Sequence, residues 1–204
     1  MVGVLVGFSN MEGERMGKSL GNFRMCNGLL YQYPGGVFRY VILAANYRSE
    51  QSFSKDLLDS AWRSLDALYG YLRGIDDSDS TIVADSKGYK ALLDDLNTPL
   101  AISELHRLAK QMRAANGAHQ QDLRAELAGL GSMMGLLQQD AEQWFTQARG
   151  SNDISSAEID DMIARRKQAK ADKNFSGADQ IRQDLLSRGV VLEDSREGTK
   201  WRRG

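Results

Sequence analysis

The sequence is poor in the residues that build disulfides, zinc centres and chain kinks: its 204 residues include one cysteine, two histidines and two prolines. Cys26 alone excludes an intrachain disulfide and a zinc site built from several cysteines. His106 and His119 lie thirteen positions apart in sequence of helical pattern, and two such histidines are a weak indication of a metal site. We therefore assign no metal.

Long apolar segments are also lacking, since no run approaches the roughly 18 to 20 residues that span a bilayer. Met1–Phe8 is apolar, but no basic residues precede it and no small-residue cleavage site follows it. We expect a cytoplasmic protein without membrane association. Its 42% hydrophobic and 26% charged residues are typical of one or two folded domains.

The net charge of −1 hides an uneven distribution along the chain. Residues 162–204 contain eleven Lys or Arg against six Asp or Glu, a balance of +5, while residues 1–161 have a balance of −6. A basic end on an acidic body indicates a polyanionic partner. Ordinary scatter of charge over a solvated helix face is the alternative that charge alone leaves open.

The first thirty residues predict a strand and a loop. Val2, Val4, Val6 and Phe8 alternate with other residues, as in a short strand. Ser9–Gly21, with three glycines among polar residues, predicts a flexible loop.

Residues 31–150 have apolar side chains at helical spacing and predict an antiparallel helical bundle of four helices. The predicted helices cover Phe38–Ser49, Ser54–Gly74, a segment that starts with an N-cap at Thr98 and Pro99 at the first helical position, and about Gln120–Gln138. The side chains expected to face inward in the last three are Leu58, Ala61, Trp62, Leu65, Leu68, Tyr69 and Leu72; Leu105, Leu108, Ala109 and Met112; and Leu123, Leu127, Leu130, Met134 and Leu137.

Residues 151–204 predict a small basic α+β module. Capping boxes at Ser155 with Glu158 and at Ser176 with Asp179 each start a helix, and the second helix stops at Gly189. Two strands, Val190–Leu192 and Lys200–Arg202, then flank a turn. The expected fold class is therefore mainly α, with three parts: residues 1–30, 31–150 and 151–204.

The predicted N-terminal loop contains a motif with a defined chemistry. Residues Glu14 to Phe23 resemble the Lys-Met-Ser-Lys-Ser loop of class I aminoacyl-tRNA synthetases, with Lys18 at the second lysine position and Ser19 after it. A lysine over the β- and γ-phosphates of ATP stabilises the charge that develops as pyrophosphate leaves. Two positions depart from the usual form: Arg15 replaces the first lysine and Gly17 replaces the first serine. The resemblance implies that Lys18, Arg15 and Ser19 contact ATP.

Later blocks match one synthetase family in order and spacing. The chain resembles the cysteinyl-tRNA synthetases from this loop onward, over nearly its whole length. The matching blocks are Phe38 to Val41, Asn46 to Ser49, Leu93 to Pro99, Gly131 to Gln138, Ala178 to Arg182, Val191 to Asp194 and Gly198 to Arg203. The resemblance implies a helical bundle of the DALR type that lies along tRNA, followed by a module that binds the anticodon of tRNA-Cys.

Residue types in the C-terminal module suit this role. Asp179 and Asp194 can accept hydrogen bonds from the amino groups of guanine or cytosine, and Phe175 or Trp201 can stack on a base. Lys170 and Arg203 suit backbone phosphates. The alternatives are helix capping for Asp179, core packing for Trp201, and solvated charge for Lys170 and Arg203.

Two parts of a whole cysteinyl-tRNA synthetase are not found in the sequence. The His-Ile-Gly-His motif of the Rossmann-type domain does not occur, and the residues cannot rebuild the zinc site that selects the thiol of cysteine. The chain begins about fourteen residues before its ATP loop, so we expect no catalytic sheet and no cysteine activation by the chain alone. A separate N-terminal catalytic half is therefore a possible partner.

Three functions remain open from the sequence. The first is the tRNA-binding portion of a cysteine–tRNA ligase, the second a free-standing RNA-binding protein, and the third a helical interaction protein. A related ligase that joins cysteine to an amino sugar shares the catalytic half and the loop but lacks the anticodon module, so residues 155–204 argue against it.

Overall fold

The computed structural model of the chain describes residues 9–11, 14–15, 33–73, 80–147, 154–195 and 198–203. The chain forms two compact units, Met1–Ala141 and Glu142–Gly204. The predicted mainly α fold, with a helical bundle and a small C-terminal α+β module, is confirmed. No helix in the described ranges is long and apolar enough to cross a membrane.

The first unit contains three short strands and five helices within the described ranges. The strands are β1 (Ser9–Met11), β2 (Glu14–Arg15) and β3 (Gln51–Phe53); the helices are α1 (Gly35–Ala44), α2 (Lys55–Leu72), α3 (Lys87–Leu93), α4 (Thr98–Ala114) and α5 (Gly117–Met133). In the sheet, β1 pairs antiparallel with β2 and parallel with β3. Helix α4 is central, because α1, α2, α3 and α5 all contact it.

The N-terminal predictions fall partly outside the described residues. The predicted strand Val2–Phe8 lies there. Ser9–Gly21 was expected to be a loop, but its first residues form the β1–β2 hairpin.

The buried stripe predicted for α2 is confirmed with one change at its end. Its inward residues are buried up to Tyr69, whereas Leu72 is only half-buried. Ser54 caps the helix by accepting a hydrogen bond from the Leu57 amide at 3.2 Å. Helix α4 is capped by Asn97 rather than Thr98, because the Asn97 side chain accepts from the Leu100 amide.

Helix α5 ends five residues earlier than the sequence predicts. Gly135, at φ +64°, terminates it, and the Leu136 amide donates to the Gly131 carbonyl at 2.8 Å. This is the C-terminal arrangement that glycine favours after a helix. The turn places Leu136, instead of Leu137, in the core at 2% exposure.

The second unit contains helices α6 (Ala141–Thr146, its first residue belonging to the first unit), α7 (Ser156–Ala171) and α8 (Phe175–Ser187), followed by a hairpin of β4 (Val190–Ser195) and β5 (Gly198–Arg203). Ser155 caps α7 as predicted, by accepting from the Glu158 amide. The predicted cap at Ser176 is wrong, because Asn174 caps α8 by accepting from the Gly177 amide at 3.0 Å. Ser176 therefore lies within the first turn of the helix.

Candidate nucleic-acid interface

A small hydrophobic core fixes the elements of the second unit. It consists of Ile159 from α7, Leu185 from α8, Val190 from β4 and Trp201 from β5. The indole Nε1 of Trp201 donates to Asp160 Oδ1 at 3.0 Å, which satisfies its buried N–H group. Helices α7 and α8 and the hairpin are thus held on one core, and their outward side chains have defined positions.

Arg166 and Asp194 link α7 to the hairpin. The guanidinium donates from Nη1 and Nη2 to the two carboxylate oxygens at 2.9 and 2.8 Å. Thr199 donates a further hydrogen bond to Asp194 Oδ1 at 2.6 Å. The bonds from Arg166, and then that from Thr199, hold the pKa of the Asp194 carboxyl well below its usual range. The Arg166 side chain is only 5% exposed, whereas that of Asp194 is 45% exposed.

Lys170 lies one helical turn after Arg166 and beside the same carboxylate. Its Nζ is 3.6 Å from Asp194 Oδ2, and its side chain is 46% exposed. Lys170 and Asp194 were both predicted to contact nucleic acid, and the structure places them together at the surface. The Asp194 carboxylate thus lies between the buried Arg166 and the half-exposed Lys170.

The exposed face of α8 carries two more residues that were predicted to contact nucleic acid, Phe175 and Asp179. Phe175 is 64% exposed at the first helical position, and Asp179, also exposed, is four residues further on. Residues four apart share a helix face. The negative charge of Asp179 raises the pKa of Arg166, after the larger effects of Asp194. The charge of Asp179, on the same face of α8 as Phe175, therefore interacts with the Arg166–Asp194 ion pair. Lys170 lies beside that pair.

Arg182 extends the same face and was missed from the sequence. It lies seven residues after Phe175 on α8 and is exposed. The signal that could have identified it is the helical spacing of positions 175, 179 and 182. We call Lys170, Phe175, Asp179, Arg182 and Asp194 the anticodon-side surface.

Trp201 and Arg203 lie elsewhere. Trp201 is 8% exposed and its ring packs in the core, so little of the ring is open to a base. Arg203 is 4% exposed; its Nε donates to the Thr146 carbonyl at 3.3 Å and its Nη2 to the Ile154 carbonyl at 2.8 Å. These contacts indicate structural roles, namely core packing for Trp201 and carbonyl binding for Arg203. We leave both residues out of the anticodon-side surface.

The basic charge of the second unit is also partly neutralised. Three arginines whose side chains are 40 to 72% exposed form ion pairs within the unit: Arg165 with Asp161, Arg188 with Asp184 and Arg202 with Glu193. Lys167, Lys173 and Arg182 are exposed and form no ion pair in the described ranges. The cations open to a phosphate in the described ranges are thus fewer than the eleven Lys and Arg that the sequence has in residues 162–204.

The predicted ATP loop lies mostly outside the described residues. Arg15 ends β2, but its side chain is not described, and Lys18 and Ser19 fall beyond the described ranges. Their contact with ATP stays a prediction.

Histidine geometry gives no support for a zinc site. His106 Nε2 is 2.9 Å from the hydroxyl of Tyr40, and burial lowers the pKa of the ring. Among the described residues, no group of three His, Cys, Asp or Glu side chains could hold a metal ion. The described residues do not fit the zinc that the resemblance implies for whole enzymes.

Comparison with known families agrees with this architecture. Residues 4–63 match the catalytic domain of class I (C) tRNA synthetases, residues 88–138 match the DALR domain, and residues 154–202 match the anticodon-binding domain of cysteinyl-tRNA ligase. The matched regions define a protein of the class I aminoacyl-tRNA synthetase type.

Sequence identity to individual proteins identifies one family within this class. The chain is 47% identical over 200 residues to the cysteine–tRNA ligase of Saccharophagus degradans, 43% identical over 208 residues to that of Paramagnetospirillum magneticum and 41% identical over 198 residues to that of Xanthomonas campestris pv. campestris. Each alignment covers 97% of this chain. The chain belongs to the cysteinyl-tRNA synthetase family.

The same alignments cover only part of each relative. The chain spans 44% of the length of the Saccharophagus and Paramagnetospirillum ligases and 43% of the Xanthomonas ligase. More than half of each relative therefore has no counterpart in the matched region.

Proposed function

We propose that the chain is the tRNA-binding portion of a cysteine–tRNA ligase and that it binds tRNA-Cys through the anticodon-side surface. The observation that carries the proposal is the arrangement of an exposed aromatic ring, a carboxylate and cations on one side of a module that matches an anticodon-binding domain. In the whole ligase, ATP and cysteine would form cysteinyl-adenylate, and the cysteine would then pass to the tRNA.

Phe175 supports contact with an unpaired base. A large apolar ring that is 64% exposed covers no core of its own unit. Bases in the open anticodon loop stack on such rings, and a stacked base contributes about 1 to 3 kcal/mol. The N-terminal position of Phe175 on α8 leaves its ring at the edge of the helix, where a loop can approach.

Asp179 and Arg182 supply the polar half of base recognition. A carboxylate accepts from the amino group of guanine or cytosine, and an arginine donates to base acceptors or to phosphate. Because both residues share the exposed face of Phe175, a stacked base and its neighbours lie within reach of both charges. We expect a preference for the anticodon GCA from these contacts.

Lys170 and Asp194 provide a fixed charge pair beside this face. Arg166 and Thr199 already occupy much of the hydrogen-bonding capacity of Asp194. We therefore assign Asp194 mainly to the positioning of Lys170, and Lys170 to a backbone phosphate. The half-exposed side chain of Asp194 leaves room for an additional contact with a base amino group.

The proposal predicts specific binding of tRNA by the full chain. Filter binding with tRNA transcripts that differ only in the anticodon should give the tightest binding for GCA. Phe175→Ala should weaken that binding by about 1 to 3 kcal/mol, whereas Ile82→Ala, which removes an exposed apolar side chain from the first unit, should leave it unchanged. Binding that is equal for all anticodons would favour a nonspecific RNA-binding protein, and absence of binding at low salt would contradict the proposal.

A further inference from the structure

Four large exposed apolar side chains gather in one groove of the first unit. The groove has a volume of about 710 Å³ and is formed by the ends of α1 and α3, β3, the segment 93–98 and the end of α5. Ile42 is 54% exposed, Leu93 69%, Leu96 55% and Met133 41%. Single exposed apolar residues are ordinary on a protein surface, but a contiguous cluster marks an interaction site.

The backbone beside the groove is strained. Asp95 and Leu96 have φ values of +50° and +54°, a conformation that non-glycine residues rarely adopt. Such a backbone conformation is unfavourable for these residues and persists where surrounding contacts enforce it. Here the strained pair places Leu96 in the groove with more than half of its side chain exposed.

A polar cluster on the rim holds this segment in place. The hydroxyl of Tyr47 donates to Asp95 Oδ1 at 2.9 Å, and Arg48 Nη2 lies 3.3 Å from the same oxygen. The Arg48 guanidinium also lies over the Tyr47 ring, 5.1 Å from its centroid. These contacts connect the turn after α1 to the strained pair.

Part of the groove wall is formed by strand β3 of the small sheet. Gln51 and Phe53 of β3 line the groove, and the Gln51 side chain donates to the Val41 and Ile42 carbonyls at 3.1 Å each, at the end of α1. Because β3 pairs in parallel with β1, the groove is continuous with the sheet at the N-terminal side of the unit. Residues 4–63, which include this wall, match a class I catalytic domain.

We propose that this groove is the docking surface for the catalytic region of the whole ligase, a proposal that rests on the proposed function. More than half of each relative lies outside the match, and one wall of the groove, which includes Ile42, Gln51 and Phe53, lies in the range that matches the catalytic domain. The catalytic region would cover Ile42, Leu93, Leu96 and Met133 with an apolar surface of its own. Docking in this groove would fix the orientation of the tRNA-binding portion relative to the catalytic region.

Thiol labelling in two contexts tests the proposal. Leu93→Cys and Leu96→Cys, in a Cys26→Ser background, are labelled with a maleimide in the 204-residue chain and in a chimera that joins this chain to the remaining part of the Saccharophagus degradans ligase. Ile82→Cys is the matched control, since Ile82 is 59% exposed outside the groove. We expect labelling at 93 and 96 to slow by about tenfold or more in the chimera, with Ile82→Cys unchanged.

A titration in trans provides the second measurement. The isolated catalytic part of the same ligase should bind the 204-residue chain, and Leu93→Asp should weaken that binding by about tenfold or more, which Ile82→Asp should not do. Equal labelling of position 93 in both contexts would overturn the proposal, as would protection in the free chain that rises with concentration, which would identify a second copy as the occupant. Filter binding of tRNA is measured on the same variants, so that a failure of tRNA binding is distinguished from a failure of docking.

Discussion

Arg166 and Asp194, which lie 28 positions apart in the sequence, form a bidentate ion pair with N–O distances of 2.9 and 2.8 Å. One partner is almost fully buried and the other is at the surface. A buried guanidinium without its carboxylate is costly, because its charge loses solvation and partner together. The pair therefore stabilises the second unit. Because Asp194 also lies beside Lys170, the pair helps to position one residue of the anticodon-side surface.

Neutralising Asp194 should destabilise the second unit. We expect Asp194→Asn to lower its free energy of unfolding by about 3 kcal/mol, the lower end for a broken buried pair, because the carboxylate itself is half-exposed. Asp161→Asn, which breaks the exposed pair with Arg165, should cost about 0.5 kcal/mol or less. Hydrogen exchange of the β4–β5 amides measures both. Equal protection of these amides from exchange in the two variants would contradict a stabilising role for the Arg166–Asp194 pair.

The same pair predicts a loss of stability in acid. The folded-state pKa of Asp194 lies below the value in an unfolded chain, about 3.9. The ion pair therefore contributes its full stabilisation above the unfolded-state pKa of about 3.9. That stabilisation is lost as the pH drops toward the folded-state pKa. Denaturation of the second unit between neutral pH and pH 2 should steepen below about pH 4, and Asp194→Asn should flatten that part of the curve.

Arg203 should act on stability and not on the salt dependence of tRNA binding. Arg203→Ala removes the donors to the Thr146 and Ile154 carbonyls and should destabilise the unit by about 1 to 3 kcal/mol. If Arg203 instead contacts a phosphate, its removal would reduce the salt slope of binding by about one. Filter binding at several salt concentrations, at a temperature where the variant is folded, distinguishes the two.

Lys170 should show the opposite behaviour. Lys170→Ala should weaken binding of all tRNAs to a similar degree and reduce the salt slope by about one. Arg165→Ala is the matched control, because it removes one positive charge from the same helix at a residue engaged with Asp161. A similar loss in both variants would show that only net charge matters, and would remove Lys170 from the anticodon-side surface.

The chain alone should not activate cysteine. We expect no cysteine-dependent ATP–pyrophosphate exchange from the purified 204-residue chain. Once a catalytic region is supplied, Lys18→Ala should slow adenylate formation and leave tRNA binding unchanged, since a lysine at the β- and γ-phosphates acts on the leaving pyrophosphate. Exchange by the chain alone, or full activity of the variant, would contradict these expectations.

The sequence predicts the helices of this chain better than their ends. Apolar spacing alone identifies the buried stripe of α2, because a 3.6-residue period leaves little choice of inward face. The end of α5 depends on Gly135, and the sequence pattern continued past it to Leu137. Asn97 and Asn174 cap their helices in place of the predicted Thr98 and Ser176, since several side chains in each segment are suitable acceptors.

The candidate site shows a similar division. The family resemblance and residue type together identify Phe175, Asp179 and Lys170 as candidates, and the structure places them at the surface. Burial separates Trp201 and Arg203 from them, and burial depends on which side of β5 faces the core, which the residue types do not reveal. Asp194 combines a half-exposed side chain with a buried partner 28 positions away, so only the tertiary structure shows both contacts.

The order of elements in the second unit has a consequence for its folding rate. Its main contacts join elements that follow each other along the chain: α7 with α8, α8 with β4, and β4 with β5. Domains dominated by such local contacts fold in microseconds to milliseconds, because little loop-closure entropy is lost before contacts form. A transient opening of the hairpin would therefore close quickly compared with the dissociation of a tightly bound tRNA, and the anticodon-side surface would be restored within a single binding event.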